Sequence, residues 1–188
     1  MLLFAAAHAD VPFVPVNYRL AAAQLEQLIA RTRSPLVVAD PRYVSELSSD
    51  HNVTTTEEFA TAARAAAADP LPAANVDPDD PAIVLFTSGT TSAPKGVILR
   101  HSHLLSYVMS TVEYGSAADN EGALISVPPY HIAGMGTILT NVYAGRRMIY
   151  LPQFDAHGWV ELARREGATS AMVVPTMPRV TGATSTSR

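Results

Sequence analysis

Apolar residues along this chain recur in two rhythms. Short unbroken runs of strand length alternate with stretches whose apolar positions return every three or four residues. Phe13, Val14 and Val16 predict a strand over Pro12–Val16, and Leu25, Leu28 and Ile29 predict one helical face over Ala21–Thr32. A second apolar run, Leu36–Ala39, is closed by Asp40-Pro41, and the Ala-rich stretch Glu57–Ala68 predicts a helix. After it comes a segment over 69–81 dense in Pro and Asp, which continues neither a helix nor a central strand. It is either a link between lobes or a surface connection within one domain.

Beyond that segment the alternation sharpens. Strands are predicted over Ala82–Phe86, Val97–Leu99, Leu124–Val127, Met148–Leu151 and Ala171–Val174. Helices are predicted over His101–Val112 (Leu104, Leu105 and Val108 on one face), Ile132–Tyr143 and Ala156–Arg165. Continuous apolar strands alternating with helices give an α/β fold, with a mostly parallel sheet flanked by helices and buried on both faces. Both ends read as cut. Met1 falls inside a helical pattern without a capping residue, which predicts a buried helix entered partway along, and 181–188 form a small, polar tail.

Composition narrows the function classes. The 188 residues are 48% hydrophobic and 16% charged, too apolar for a disordered tail. A net charge of −4 without a basic run argues against nucleic acid or an anionic membrane as partner. No apolar stretch approaches the length of a transmembrane helix. The N-terminus has small-x-small spacing but no Lys or Arg ahead of its apolar run, so a cytoplasmic location is expected over secretion. The absence of cysteine excludes a disulfide scaffold and a thiolate nucleophile. His101 and His103, two apart, make a poor metal pair. Asp77, Asp79 and Asp80 read as solvated, and Arg146-Arg147 as a strand-edge pair. No G-x-S-x-G elbow is present.

One loop concentrates the chemistry. The buried run Ile83–Phe86 leads into Thr87-Ser88-Gly89-Thr90-Thr91-Ser92-Ala93-Pro94-Lys95-Gly96, almost wholly small, hydroxyl and Gly residues plus one lysine. Small residues let backbone N–H groups approach an anion, and hydroxyls add donors to phosphate oxygens. Of 13 basic residues Lys95 is the sole lysine, a compact point charge in a chain that otherwise uses arginine. A Walker A loop does not fit: counted from Gly89, Pro94 replaces the second glycine and Gly96 replaces the Mg²⁺-binding hydroxyl. The loop is a polyphosphate device of another kind.

Thr87–Val97 closely resembles the signature [ST]-S-G-T-T-G-x-P-K-G-V of the acyl-adenylate-forming (AMP-binding) superfamily, which includes acyl-CoA synthetases, fatty-acyl-AMP ligases and luciferases. Ser92 stands where most members have Gly, and His101 matches the histidine that commonly follows. Val127-Pro128-Pro129-Tyr130-His131-Ile132-Ala133-Gly134-Met135 resembles the family's P-x-[FY]-H segment, and Ala171–Thr176 its strand ending in V-P-T.

The resemblance implies a chain that activates a carboxylic acid with ATP and Mg²⁺ as an acyl-adenylate, then passes the acyl group to a thiol such as CoA. It places the ATP phosphates at Thr87, Ser88, Gly89, Thr90, Thr91, Ser92, Lys95 and Gly96. It places the acyl pocket at Tyr130, His131, Gly134 and Met135, and the apolar neighbours Ile132, Ile138 and Leu139 favour a fatty or aryl acid. Residues 1–180 then form a partial N-terminal domain, without the family's Y-G-x-T-E and T-G-D segments, its adenine site or its C-terminal domain with the catalytic lysine. The expectation is a fragment of such a ligase, inactive alone; the alternative is a non-catalytic remnant with at most ATP or phosphate binding.

Overall fold

A computed structural model describes residues 1–33, 35–66, 72, 74–87, 94–151 and 153–173. The chain divides into two compact units, Met1–Asp10 with Val16–Val76, and Val11–Pro15 with Asp77–Arg188. The boundary at 76/77 falls inside the Pro- and Asp-rich stretch.

The first unit opens with helix α1 (Leu2–His8), in which no residue is buried. The expected buried helix is thus a surface one, and Phe4 is 44% exposed. Helix α2 (Ala22–Ile29) buries Leu25, Leu28 and Ile29, the face its spacing predicts. Strand β1 (Leu36–Ala39) pairs in parallel with β2 (Asn52–Thr55), Leu36 opposite Asn52 and Ala39 opposite Thr55. The short helix α3 (Pro41–Val44) connects them: Asp40 caps it through the Arg42 N–H, and Pro41 occupies the first turn, where a missing N–H costs nothing. The Arg42 guanidinium, with that N–H, holds the Asp40 carboxyl down at about 2. Helix α4 (Thr56–Ala66) starts at a reciprocal box, in which the Thr55 N–H donates to Glu58 Oε2 at 2.9 Å and the Glu58 N–H to Thr55 Oγ1 at 3.1 Å. Glu26 of α2 accepts from the Ser48 N–H and lies 2.7 Å from His51 Nε2, contacts that lower its carboxyl below the ordinary range.

In the second unit, β3 (Pro81–Thr87) and β4 (Lys95–Arg100) form an antiparallel hairpin. The strand expected over Pro12–Val16 is a single parallel bridge between Phe13 and Ile83. Phe13 N–H donates to Ala82 O and Val84 N–H to Phe13 O, and the prolines on either side of this segment cannot donate to extend the ladder. Ile83 is fully buried, whereas Val97 and Ile98 of β4 are 43% and 51% exposed. In the Asp77–Asp80 turn Asp77 and Asp79 are exposed, as expected, whereas Asp80 is half-buried, and the turn also caps helix α5 (His101–Thr111). The carbonyls of Asp80 and Pro78 accept the His101 and Ser102 N–H groups, and the Asp79 carbonyl accepts from the Arg100 guanidinium. Val108 of α5 is buried, but Leu105 is 56% exposed.

A second sheet follows the order β6-β5-β7, all parallel, from β5 (Gly122–Ile125), β6 (Arg147–Tyr150) and β7 (Ser170–Met172). Helix α6 (Ile132–Ala144) leads from β5 to β6, and α7 (Ala156–Arg165) from β6 to β7, so the sheet consists of βαβ connections around a central β5. All four β5 residues are buried, as a strand with neighbours on both edges and helical cover requires. The short β7 is exposed throughout, against the expectation of burial on both faces, and Val174 lies outside the described residues. Arg146 and Arg147, expected as a strand-edge pair, hold ion pairs. Arg146 Nε donates to Glu121 at 2.6 Å and its Nη1 to Asn141 Oδ1, tying the end of α6 to the start of β5. The Arg146 guanidinium, and then the Ala118 N–H, lower the Glu121 carboxyl below the ordinary range. Arg147 pairs with Glu166.

Candidate functional site

The expected phosphate loop is closed at its base by the end of the hairpin. Lys95 and Gly96, expected in the loop, are strand residues: Lys95 opposes Thr87 and Gly96 opposes Phe86. Thr87 Oγ1 donates to the Lys95 carbonyl at 3.4 Å, and both residues are exposed. A Cβ on Gly96 would lie 3.3 Å from Val84 Cγ1, so a bare backbone suits this position. Ser88, Gly89, Thr90, Thr91 and Ser92 lie outside the described residues. The exposed ammonium at the mouth of the hairpin is a donor of the kind a polyphosphate takes, while the Thr87 hydroxyl gives its one proton to the Lys95 carbonyl.

The second candidate segment leaves the buried β5. Pro128 and Pro129 lack N–H groups and stop the strand. The His131 N–H donates to the Pro128 carbonyl at 3.1 Å, closing the turn, and His131 then serves as the N-cap residue of α6 with φ −105° and ψ 145°. The Tyr130 and His131 rings stand 4.7 Å apart at 56°. Tyr130 is buried and His131 exposed, so the turn anchors one ring and presents the other. Gly134 explains how the turn can lie against the helix: a Cβ there would sit 2.2 Å from the Pro128 carbonyl oxygen and 2.7 Å from that of Val127. Only glycine permits so close a backbone approach. Met135, next in line, is 1% exposed.

Beside this turn runs a groove of about 340 Å³ between β4, α5 and α6. Leu99, His103, Leu104 and Tyr107 form one wall, and Ile132, Met135, Gly136 and Leu139 the other. The reading of the sequence put Leu104 on the apolar face of this helix and weighed His103 only as a metal ligand, but it missed Tyr107, which lies four residues after His103 and three after Leu104 on the same side of the helix. Gly136 lets the helices approach, since a Cβ there would lie 3.2 Å from the Tyr107 ring. His103 Nδ1 accepts the Arg100 N–H at 3.3 Å, which leaves Nε2 to carry the proton of the neutral ring.

Strand β4 runs from the phosphate hairpin to the groove beside the second segment. Lys95 begins β4 and Leu99 lines the groove, four residues further on. Residues at that spacing share one face of a strand, about 13 Å apart. Among the described residues no three His, Asp or Glu side chains gather to hold a metal ion, so Mg²⁺ is assigned to no residue here. No helix among them is long and apolar enough to cross a membrane.

Comparison with known proteins bears on both segments. The family model for AMP-binding enzymes matches residues 1–181. The fatty acid–[acyl-carrier-protein] ligase ScoC of Streptomyces coeruleorubidus is 32% identical over 95% of this chain and 36% of its own length. A feruloyl-CoA synthase of an Amycolatopsis species is 28% identical over 93% of the chain and 36% of its own length. The chain thus spans about a third of the length of these curated relatives. Among solved structures, the inhibitor-bound N-terminal domain of FACL13 from Mycobacterium tuberculosis superposes with a TM-score of 0.83 at 27% identity, covering 98% of this chain and 48% of that one.

Proposed function

Because the chain belongs to the family of AMP-binding enzymes, we propose that it is the phosphate- and acid-binding part of a ligase that activates a carboxylic acid with ATP. The observation that carries this reading is the single strand β4, with Lys95 at the mouth of the phosphate hairpin and Leu99 in the apolar groove.

In the proposed reaction a carboxylate oxygen attacks the α-phosphorus of ATP. The new O–P bond forms as the bond to the bridging oxygen breaks, and pyrophosphate leaves. Lys95 Nζ and the Thr87 hydroxyl, its proton turned from the Lys95 carbonyl to the ligand, with the hydroxyls of Ser88, Thr90, Thr91 and Ser92 and the backbone at Gly89 and Gly96, hold the β- and γ-phosphates. They stabilise the charge that builds on the leaving group. Mg²⁺, when bound by the phosphates, supplies further charge neutralisation. The acid lies with its hydrocarbon part in the groove and its carboxylate near His131. The first turn of α6 has N–H groups without intrahelical partners and a positive dipole end, both suited to an anion. A thiol sulfur then attacks the acyl carbonyl, AMP leaves and the thiol proton passes to solvent.

The acid is fatty or aryl. The groove is lined by leucine, isoleucine, methionine and tyrosine, and its volume suits a hydrocarbon chain or one ring system. The two relatives described above are named for a fatty and an aryl acid and for different thiols, a carrier protein and CoA. CoA is the proposed acceptor.

The test is a chimera in which residues 81–144 replace the matching segment of the full-length Streptomyces coeruleorubidus ligase. Acid-dependent ATP–pyrophosphate exchange that disappears in Lys95→Ala supports the reading. A folded chimera that exchanges equally well with and without Lys95 contradicts it.

A further inference from the structure

The chain has one tryptophan, Trp159, in the first turn of α7. Its indole Nε1–H donates to Ser126 Oγ at 2.7 Å, a half-buried contact spanning 33 residues of sequence. Ser126 is the first residue beyond β5 and opens the Ser126–His131 turn. A half-buried indole N–H needs a polar partner. What matters here is which partner it finds.

This turn is anchored by buried Val127 and Tyr130, and its prolines limit its backbone bonds. Pro128 and Pro129 offer no N–H, and at this end of β5 the bond from the Leu151 N–H to the Ile125 carbonyl is long at 3.4 Å. The far end of the turn is pinned by the His131 N–H on the Pro128 carbonyl and by the close approach of Gly134. The near end is pinned by the indole. The α7 backbone that carries Trp159 is itself capped, since Asp155 Oδ2 accepts the Gly158 N–H at 2.7 Å and the Asp155 carbonyl accepts the Trp159 N–H at 2.8 Å. An indole is a rigid single donor, so its bond fixes where the Ser126 hydroxyl stands and hence the direction in which the chain leaves the sheet.

We propose that Trp159 is a positioning residue for His131, acting through the Ser126 hydroxyl. It rests on the reading that the His131 turn receives the acid. The rival role for Trp159 is packing alone, because its ring also lines a groove of about 230 Å³ with Leu124, Ala163 and Ala168.

The two roles separate by nuclear magnetic resonance on the 188-residue chain, where one tryptophan gives one indole N–H signal. The His131 ring signal is identified by its loss in His131→Gln. Its position depends on the ring current of Tyr130, 4.7 Å away, and so reports the geometry of the turn. Ser126→Ala keeps the indole and removes the acceptor; Trp159→Phe keeps most of the packing and removes the donor. The expected result is that the His131 ring signal moves in the same direction in both variants and returns in Ser126→Thr, which restores a hydroxyl. A His131 signal unchanged in folded Ser126→Ala, while the indole N–H signal shifts, would overturn the positioning role. Octanoate added to the unmodified chain tests the underlying reading separately. Movement of the His131 signal supports an acid site there, whereas no movement overturns the acid site and leaves the Trp159 result standing.

Discussion

Thr87 and Lys95 close the same end of one hairpin, with the Thr87 hydroxyl on the Lys95 carbonyl at 3.4 Å. Two residues eight apart in sequence thereby face each other at the end of the paired strands. The Lys95 side chain, exposed at this end, is available to a ligand's phosphates. A charge-assisted hydrogen bond contributes about 1.5–3 kcal/mol, so Lys95→Ala should weaken ATP binding by roughly ten- to a hundredfold. Thr87→Ala, which removes a neutral donor, should cost less. Isothermal titration with ATP measures both.

Gly134 and Gly136 make a contrasting pair. At Gly134 an added methyl group meets carbonyl oxygens at 2.2 and 2.7 Å, and backbone cannot step aside cheaply. Gly134→Ala should destabilise the chain by about 1–3 kcal/mol through overpacking. At Gly136 the obstacle is the Tyr107 ring at 3.2 Å, which is 49% exposed and can turn away. The helical preference of alanine, about 1 kcal/mol over glycine, should offset that strain. Urea denaturation of the two variants should therefore give a large loss for the first and a small change for the second.

The sequence was most legible where one rhythm ran unbroken. The buried face of α2 and the bounds of β1 and α7 follow the apolar pattern, whereas β5 covers Gly122–Ile125, two residues ahead of the expected Leu124–Val127, because its pairing begins at Gly122 opposite Arg147. Strand β2 and helix α3 were missed for opposite reasons. Asn52–Thr55 is polar on its face and becomes a strand only by pairing with β1, a contact that spacing cannot reveal. The α3 signal was present in Asp40-Pro41 but read as a stop, although an Asp before a Pro is equally a helix start. At the candidate site the motif residues stood out by composition. The groove wall from α5 did not, since Tyr107 acquires its place from α6, which lies 25 residues beyond it.

Acid should loosen the sheet at one identifiable point. The Glu121 carboxyl lies below the ordinary value of 4.5 because Arg146, and then the Ala118 N–H, bond to its charged form. A depressed carboxylate contributes stability that is present above the unfolded value and is lost as pH falls through the folded one. Melting temperature should therefore fall on acidification from about pH 6 to about pH 3, and fall less steeply in Glu121→Gln.

The 188-residue polypeptide alone should release no pyrophosphate from ATP with any carboxylic acid. Its hairpin and groove would hold the phosphates and the acid, and this polypeptide spans about a third of the length of the curated relatives it matches. Positioning and charge stabilisation act together on the α-phosphorus, so losing most of them costs many powers of ten in rate. A pyrophosphate-release assay on pure, monodisperse protein measures this.

The placement of ATP phosphates at Lys95 can be tested by the chemistry of the residue itself. It is the only lysine in the chain, so an acyl-phosphate derivative of ATP has one side-chain amine to modify. The amine attacks the acyl carbonyl, an amide forms and ATP leaves. Mass spectrometry of the digested chain should find the acyl group on Lys95, with labelling suppressed by excess unmodified ATP. Labelling of Lys95 that ATP leaves unchanged would contradict a phosphate site at this hairpin.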